Sequence, residues 1–177
     1  MIVGLQGGLG SGKTIGMVRY LYKDNAIYGR PVYANLWLGF KYNKLNIKEL
    51  LNNKIDLHNV SIGIDELTVF ADCRSSISNR LISYFVLQTR KRNVCLYFTT
   101  QDFGMIDKRI MRHCHIRIMC TNPCDDDSYP YRIYEVVDTR RSLYDPPSIF
   151  QLDIRPYFNM YDTDEIISPL EEVDNET

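Results

Sequence analysis

No run of apolar residues in this sequence approaches the roughly eighteen that a membrane-spanning helix needs, so no transmembrane segment is expected. A C-x-x-C pair is also missing. The five cysteines, Cys73, Cys95, Cys114, Cys120 and Cys124, form an odd set that argues against a disulfide framework and for a reducing cytosol. His113, Cys114, His115, Cys120 and Cys124 do not have the spacing of a tetrahedral zinc site, and alternation along a strand separates the neighbours. The first strand is expected to begin at Ile2, so no signal or transit peptide is expected. Internal repeats and low-complexity blocks are absent. Net charge is small, a formal −1 over 177 residues, but it is unevenly spread. Residues 162–177 hold seven carboxylates and neither Lys nor Arg, leaving the first 161 residues with 21 basic against 15 acidic side chains. A modestly basic body suits an anionic partner such as DNA, and a solvated surface equally well. The length fits one domain with a substantial core.

The most informative stretch is the first fourteen residues. Met1 to Gln6 reads as a short buried strand, and Gly7-Gly8-Leu9-Gly10-Ser11-Gly12-Lys13-Thr14 follows with the G-x-x-x-x-G-K-[ST] spacing of a Walker A phosphate loop. Backbone N–H groups must wrap a polyphosphate, and glycines let the chain approach closely with positive φ. In this pattern Lys13 reaches the β/γ-phosphates of ATP and Thr14 places its hydroxyl on Mg²⁺. The helix beginning near Lys13 adds its positive end to the anion site.

Val60 to Ile64 reads as a buried strand that runs into Asp65-Glu66, the Walker B arrangement, with Asp65 as metal ligand and Glu66 as the residue that polarises the attacking water. Between the two motifs, helical spacing predicts a helix from Thr14 to about Lys23, ended by Asp24-Asn25. A strand at Pro31–Leu36 and a short Asn-capped helix over Asn46–Leu51 follow. Downstream, a helix is expected over Ser75–Arg92 with Asn93 closing it, then a strand at Val94–Phe98 that ends in Thr99-Thr100-Gln101. A polar amide at the carboxyl end of a core strand sits where open α/β sheets bind ligands, making Gln101 a candidate γ-phosphate or water sensor. A helix over Met105–His113 and strands at His115–Cys120 and Tyr131–Val137 complete the pattern as a terminal hairpin. The fold class is therefore α/β, a P-loop NTPase with a parallel sheet flanked by helices. An ATPase core is expected over residues 1–140. Pro146-Pro147, Pro156 and Pro169 suggest an extended acidic tail over 141–177.

Walker A, Asp65-Glu66, the Arg90-Lys91-Arg92-Asn93 run and the strand ending at Gln101, with the Met105–Arg109 segment and hairpin after them, resemble the FtsK-HerA superfamily of P-loop ATPases, in particular its Zot-like and viral genome-packaging members. Tyr157 to Glu165 is similar to a segment that often ends such viral proteins. The resemblance implies a RecA-like, Mg²⁺-dependent ATPase that assembles as a homo-oligomeric ring and drives double-stranded DNA into a capsid. Capsid or portal-vertex proteins would be its further partners, and its location the host cytoplasm or the virion. It also implies that an arginine, Arg90 ahead of Arg92 and Arg74, reaches the γ-phosphate bound by a neighbouring subunit. No transmembrane segment is expected after the ATPase domain, which would be a departure from the Zot pattern. A Zot-like assembly or secretion factor that does not translocate DNA is the alternative.

Overall fold

The computed structural model describes residues 1–51, 57–71, 86–124, 126, 128–142 and 145–162. Among the described residues, eight strands form one sheet: β1 (Ile2–Gln6), β2 (Val32–Ala34), β3 (Asn43–Lys44), β4 (Ser61–Ile64), β5 (Cys95–Thr100), β6 (Ile116–Thr121), β7 (Tyr131–Asp138) and β8 (Ser148–Asp153). Their spatial order is β3-β2-β4-β5-β1-β6-β7-β8. The first six are parallel to their neighbours, whereas β7 and β8 add on antiparallel. β1 lies between β5 and β6, so the loop after Gln6 emerges at the middle of the carboxyl edge.

Alternation along the central strands feeds two cores, as a parallel sheet covered on both faces requires. Val3, Leu5, Tyr97, Ile118 and Tyr134 face α1 (Lys13–Tyr28), which contributes Met17, Val18 and Leu21. Ile2, Ile62, Leu96 and Phe98 face the other way, onto Leu50, Phe70, Val86 and Ile110.

Several expected boundaries shift. α1 does not stop at Asp24-Asn25 but runs to Tyr28, where Gly29 in the left-handed conformation (φ 62°) caps it. Asp24 is tolerated inside the helix because it is buried and doubly satisfied, accepting from Ser61 Oγ (2.5 Å) and Tyr97 Oη (2.9 Å). The Met105–His113 helix resolves into a 3-10 turn, Phe103–Met105, and a short helix, Lys108–Arg112. Asp102 and Asp107 each cap a new start, accepting from the amides of Gly104 and Arg109. Most of the Ser75–Arg92 helix, with Arg74, lies outside the described residues. Its end is visible: residues 86–89 are helical, and Asn93 (φ 52°) closes the stretch while Val94 N donates to Thr89 O at 2.9 Å.

The largest departure concerns the segment expected as an extended tail. Residues 148–153 form β8, which pairs with β7 along its whole length, and Arg155–Met160 forms a 3-10 helix. The prolines mark where elements begin: Pro146-Pro147 immediately precede β8, and Pro156 opens the 3-10 helix. Phe150 stacks on Tyr134 with ring centroids 5.1 Å apart, which ties β8 to the core. Beyond it, Tyr161 bridges to Leu38 and Gly39 N donates to Met160 O at 3.0 Å. Residues 163–177, the acidic part of the tail, lie outside the described residues.

Candidate nucleotide site

Residues 7–14 leave β1 and turn directly into α1. Gly10 (φ 69°) and Gly12 (φ 85°) are both left-handed, the conformation that side chains resist and that points successive amides inward. Gly12 is fixed further by packing, since a Cβ there would stand 2.7 Å from Arg132 Cγ. Leu9 projects outward, 88 % exposed. Ser11 is buried, and its hydroxyl has no partner among the described residues.

Two charged side chains meet at the mouth of the loop. Lys13 Nζ lies 3.3 Å from Glu66 Oε1 and 3.4 Å from Gly8 O, and little of either side chain is exposed. Glu66 has a left-handed backbone (φ 48°), a conformation that costs a non-glycine residue energy and recurs at functional positions. Its amide donates to Thr99 Oγ1 at 2.8 Å, which holds the turn in place.

Asp65 is the centre of a hydroxyl network. Its Oδ1 accepts from Thr99 Oγ1 (2.6 Å) and from Thr14 Oγ1 (3.0 Å). Asn35 clamps its backbone from the next strand over, accepting from Asp65 N (2.8 Å) and donating to Asp65 O (3.1 Å). Burial pushes the Asp65 carboxyl above its ordinary value of 3.8, and the two donated hydroxyl bonds pull part of the way back. The juxtaposed oxygen donors of Thr14 and Asp65, one hydroxyl and one carboxylate, form the hard donor set that suits Mg²⁺. Cys120, beneath the loop, is pushed by burial to about 12, so its thiol is inert at neutral pH.

Lys13, Thr14, Asp65 and Glu66 thus converge on one edge. Gln101 reaches the same edge on the outer side of the loop, lining a cleft of about 510 Å³ with Gly7, Gly8 and Leu9. Arg90 does not join them. It precedes β5 at the amino edge of the sheet, exposed, so β5 separates it from the loop of its own chain.

Three residues that the sequence analysis did not select hold the site together. Thr99 joins Asp65 to Glu66. Arg132, on the inward side of β7 and only 3 % exposed, donates from Nε to Gly10 O at 2.9 Å and from Nη1 to the carbonyls of Tyr129 and Tyr131. Tyr134, two residues on, donates from Oη to Gly12 O at 2.8 Å. β7 therefore braces two carbonyls of the phosphate loop, those of Gly10 and Gly12. An arginine on the core side of an alternating strand was the available signal.

No family model matches the sequence, and no curated protein matches it. Solved structures share the fold. The N-terminal domain of zonular occludens toxin from Neisseria meningitidis superposes with a TM-score of 0.64 at 17 % identity, covering 91 % of this chain and 98 % of that one. The genome packaging NTPase B204 from Sulfolobus turreted icosahedral virus 2, in complex with AMP, gives 0.59 at 12 % identity over 85 % and 95 %. A KaiC-like protein from Pyrococcus horikoshii gives 0.51 at 15 % identity over 85 % and 83 %. The chain has the α/β architecture of P-loop NTPases of this kind, which is the fold expected from its motifs.

Proposed function

We propose that the protein is a Mg²⁺-dependent ATPase that works as a homo-oligomeric ring to move double-stranded viral DNA into a capsid, in the host cytoplasm or at the assembling virion. The observation that carries the ATPase reading is the junction of the two motifs: Thr14 bonded to Asp65, with Lys13 beside Glu66. The amides of residues 8–14 and the Lys13 ammonium bind the β/γ-phosphates. Thr14 and Asp65 hold Mg²⁺, which when bound neutralises charge on the phosphate oxygens. Glu66 orients a water for in-line attack and accepts its proton, and Gln101 senses the γ-phosphate from the outer cleft. The structural likeness to a genome packaging NTPase supports the choice of DNA as the moved substrate.

Lys108, Arg109, Arg112, Arg140 and Arg141 are the basic groups proposed to contact DNA phosphates without reading sequence. Arg109 and Arg140 each form a two-pronged pair with the aspartate two residues earlier, Asp107 and Asp138, and Arg141 lies 3.8 Å from Asp138. These pairs reduce the charge offered to DNA, an observation that favours the alternative of a Zot-like assembly factor acting on protein. The likeness over 98 % of the Zot domain points the same way.

ATP turnover measured with and without unrelated double-stranded DNAs separates the two. The motor reading expects stimulation that falls steeply with salt, each lost phosphate contact lowering the log–log slope by about 0.9. Turnover indifferent to DNA at low salt would favour the assembly factor, and no turnover at all would remove the ATPase reading.

A further inference from the structure

The segment after β8 crosses the mouth of the phosphate loop. It leaves β8 at Ile154, whose amide donates to Pro130 O at 2.9 Å, packs its 3-10 helix against α1, and is fastened on the far side to Leu38 and Gly39. The fit at the fastening is close: a Cβ on Gly39 would stand 2.5 Å from Asn159 O and 3.2 Å from Met160 Cα. The strap and the loop enclose a cavity of about 250 Å³, with residues 10–15 on one wall and Ile154, Phe158 and Tyr161 on the other.

The chemistry of the second wall is uneven. Ile154 is buried and forms an apolar floor, while Phe158 keeps 47 % of its surface exposed beside a loop built for anions. Tyr161 lines the same wall and brings a phenol, an O–H donor at neutral pH. Arg132, the remaining side chain of the cavity outside the loop, spends its guanidinium on backbone carbonyls.

We propose that this strap forms the nucleobase subsite of the nucleotide pocket, with Phe158 stacking on the base and Tyr161 donating to the sugar–phosphate portion. The inference rests on the nucleotide-binding reading above and deepens it by assigning the recognition of the base. Because the wall opposite the loop offers a ring face and an aliphatic floor, the base is held by stacking, which every base can supply. ATP and GTP are therefore both substrates, bound with comparable affinity.

The test is equilibrium titration of the full chain, with Mg²⁺, using ATP, GTP and inorganic tripolyphosphate as probes. Wild-type protein and Phe158→Ala and Phe158→Trp variants are compared. Phe158→Ala should bind ATP and GTP roughly five- to a hundredfold more weakly, the loss of one base–aromatic stack, with tripolyphosphate affinity unchanged. Phe158→Trp should restore both nucleotides. The half-exposed position of the ring keeps both variants folded, which their melting temperatures check. Unchanged ATP affinity in Phe158→Ala, or an equal loss for tripolyphosphate, would overturn the base subsite while leaving nucleotide binding intact. A strong wild-type preference for one base would overturn stacking as the means of recognition. Failure of the wild type to bind any of the three probes would instead remove the nucleotide reading on which the inference stands.

Discussion

The hydroxyl of Thr14 donates to Oδ1 of Asp65 across 3.0 Å, joining residues 51 positions apart in the chain. That bond couples the phosphate loop to the acid at the end of β4. It also places a buried carboxylate in an environment that disfavours its charge.

Asp65 is therefore expected to act in opposite directions on folding and on the proposed metal binding. Its pKa is raised in the folded protein, so its contribution favours folding at low pH and is lost as pH rises through the folded value. Asp65→Asn keeps an oxygen acceptor for Thr14 and Thr99 and removes the charge. Thermal melts of the ligand-free variant should show a higher Tm than wild type at pH 7–8, with the gain shrinking toward pH 4. Metal-dependent nucleotide binding should be lost in the same variant. A Tm below wild type at neutral pH would show that the carboxylate charge stabilises the fold.

Lys13 and Glu66 face one another across 3.3 Å, and the proposed function gives them different tasks. Lys13→Ala should reduce ATP turnover by at least about 10²–10³-fold and weaken nucleotide binding, since the point charge on the phosphates is gone. Glu66→Gln should bind Mg-ATP normally and hydrolyse it about 10²–10⁴-fold more slowly. Steady-state turnover alongside titration distinguishes them. Equal behaviour of both variants at wild-type rates would reduce the ion pair to a structural contact.

The brace from β7 predicts a graded series. Tyr134→Phe deletes one hydrogen bond to Gly12 O and should cost about 1 kcal/mol, whereas Arg132→Met strips charge-assisted bonds from several carbonyls and should cost about 3 kcal/mol. Urea denaturation measures both. In each variant nucleotide affinity should fall in the same order, because the loop amides lose their fixed orientation. Affinity unaffected by Arg132→Met would confine the brace to folding.

Arg90 lies at the amino edge of its own sheet, so any role at a γ-phosphate must be played in a neighbouring subunit. Arg90→Ala and Lys13→Ala subunits, each inactive alone, should regain part of their activity when mixed. An arginine supplied this way contributes about 10³–10⁵ in rate. Full activity of Arg90→Ala by itself would exclude the residue, and a mixture that stays inactive would exclude action in trans.

The sequence by itself determined the phosphate loop, the acid pair, and the strands with their flanking helices. Those signals are local: a fixed spacing of Gly7 to Thr14, carboxylates ending an apolar run, and periodicities of two and 3.6. Where side-chain chemistry could be met from afar, the local reading failed. Asp24, read as a helix stop, is a helix residue because Ser61 and Tyr97, 37 and 73 positions away, satisfy it. Prolines that suggested a broken tail open β8 and its 3-10 helix because Phe150 finds the Tyr134 ring. Only the tertiary structure decided that Thr99 links the two acids, that Arg132 and Tyr134 support loop carbonyls 122 residues earlier, and that Phe158 faces the loop. Such contacts follow from the order in which strands pair within the sheet, and no residue window carries that order.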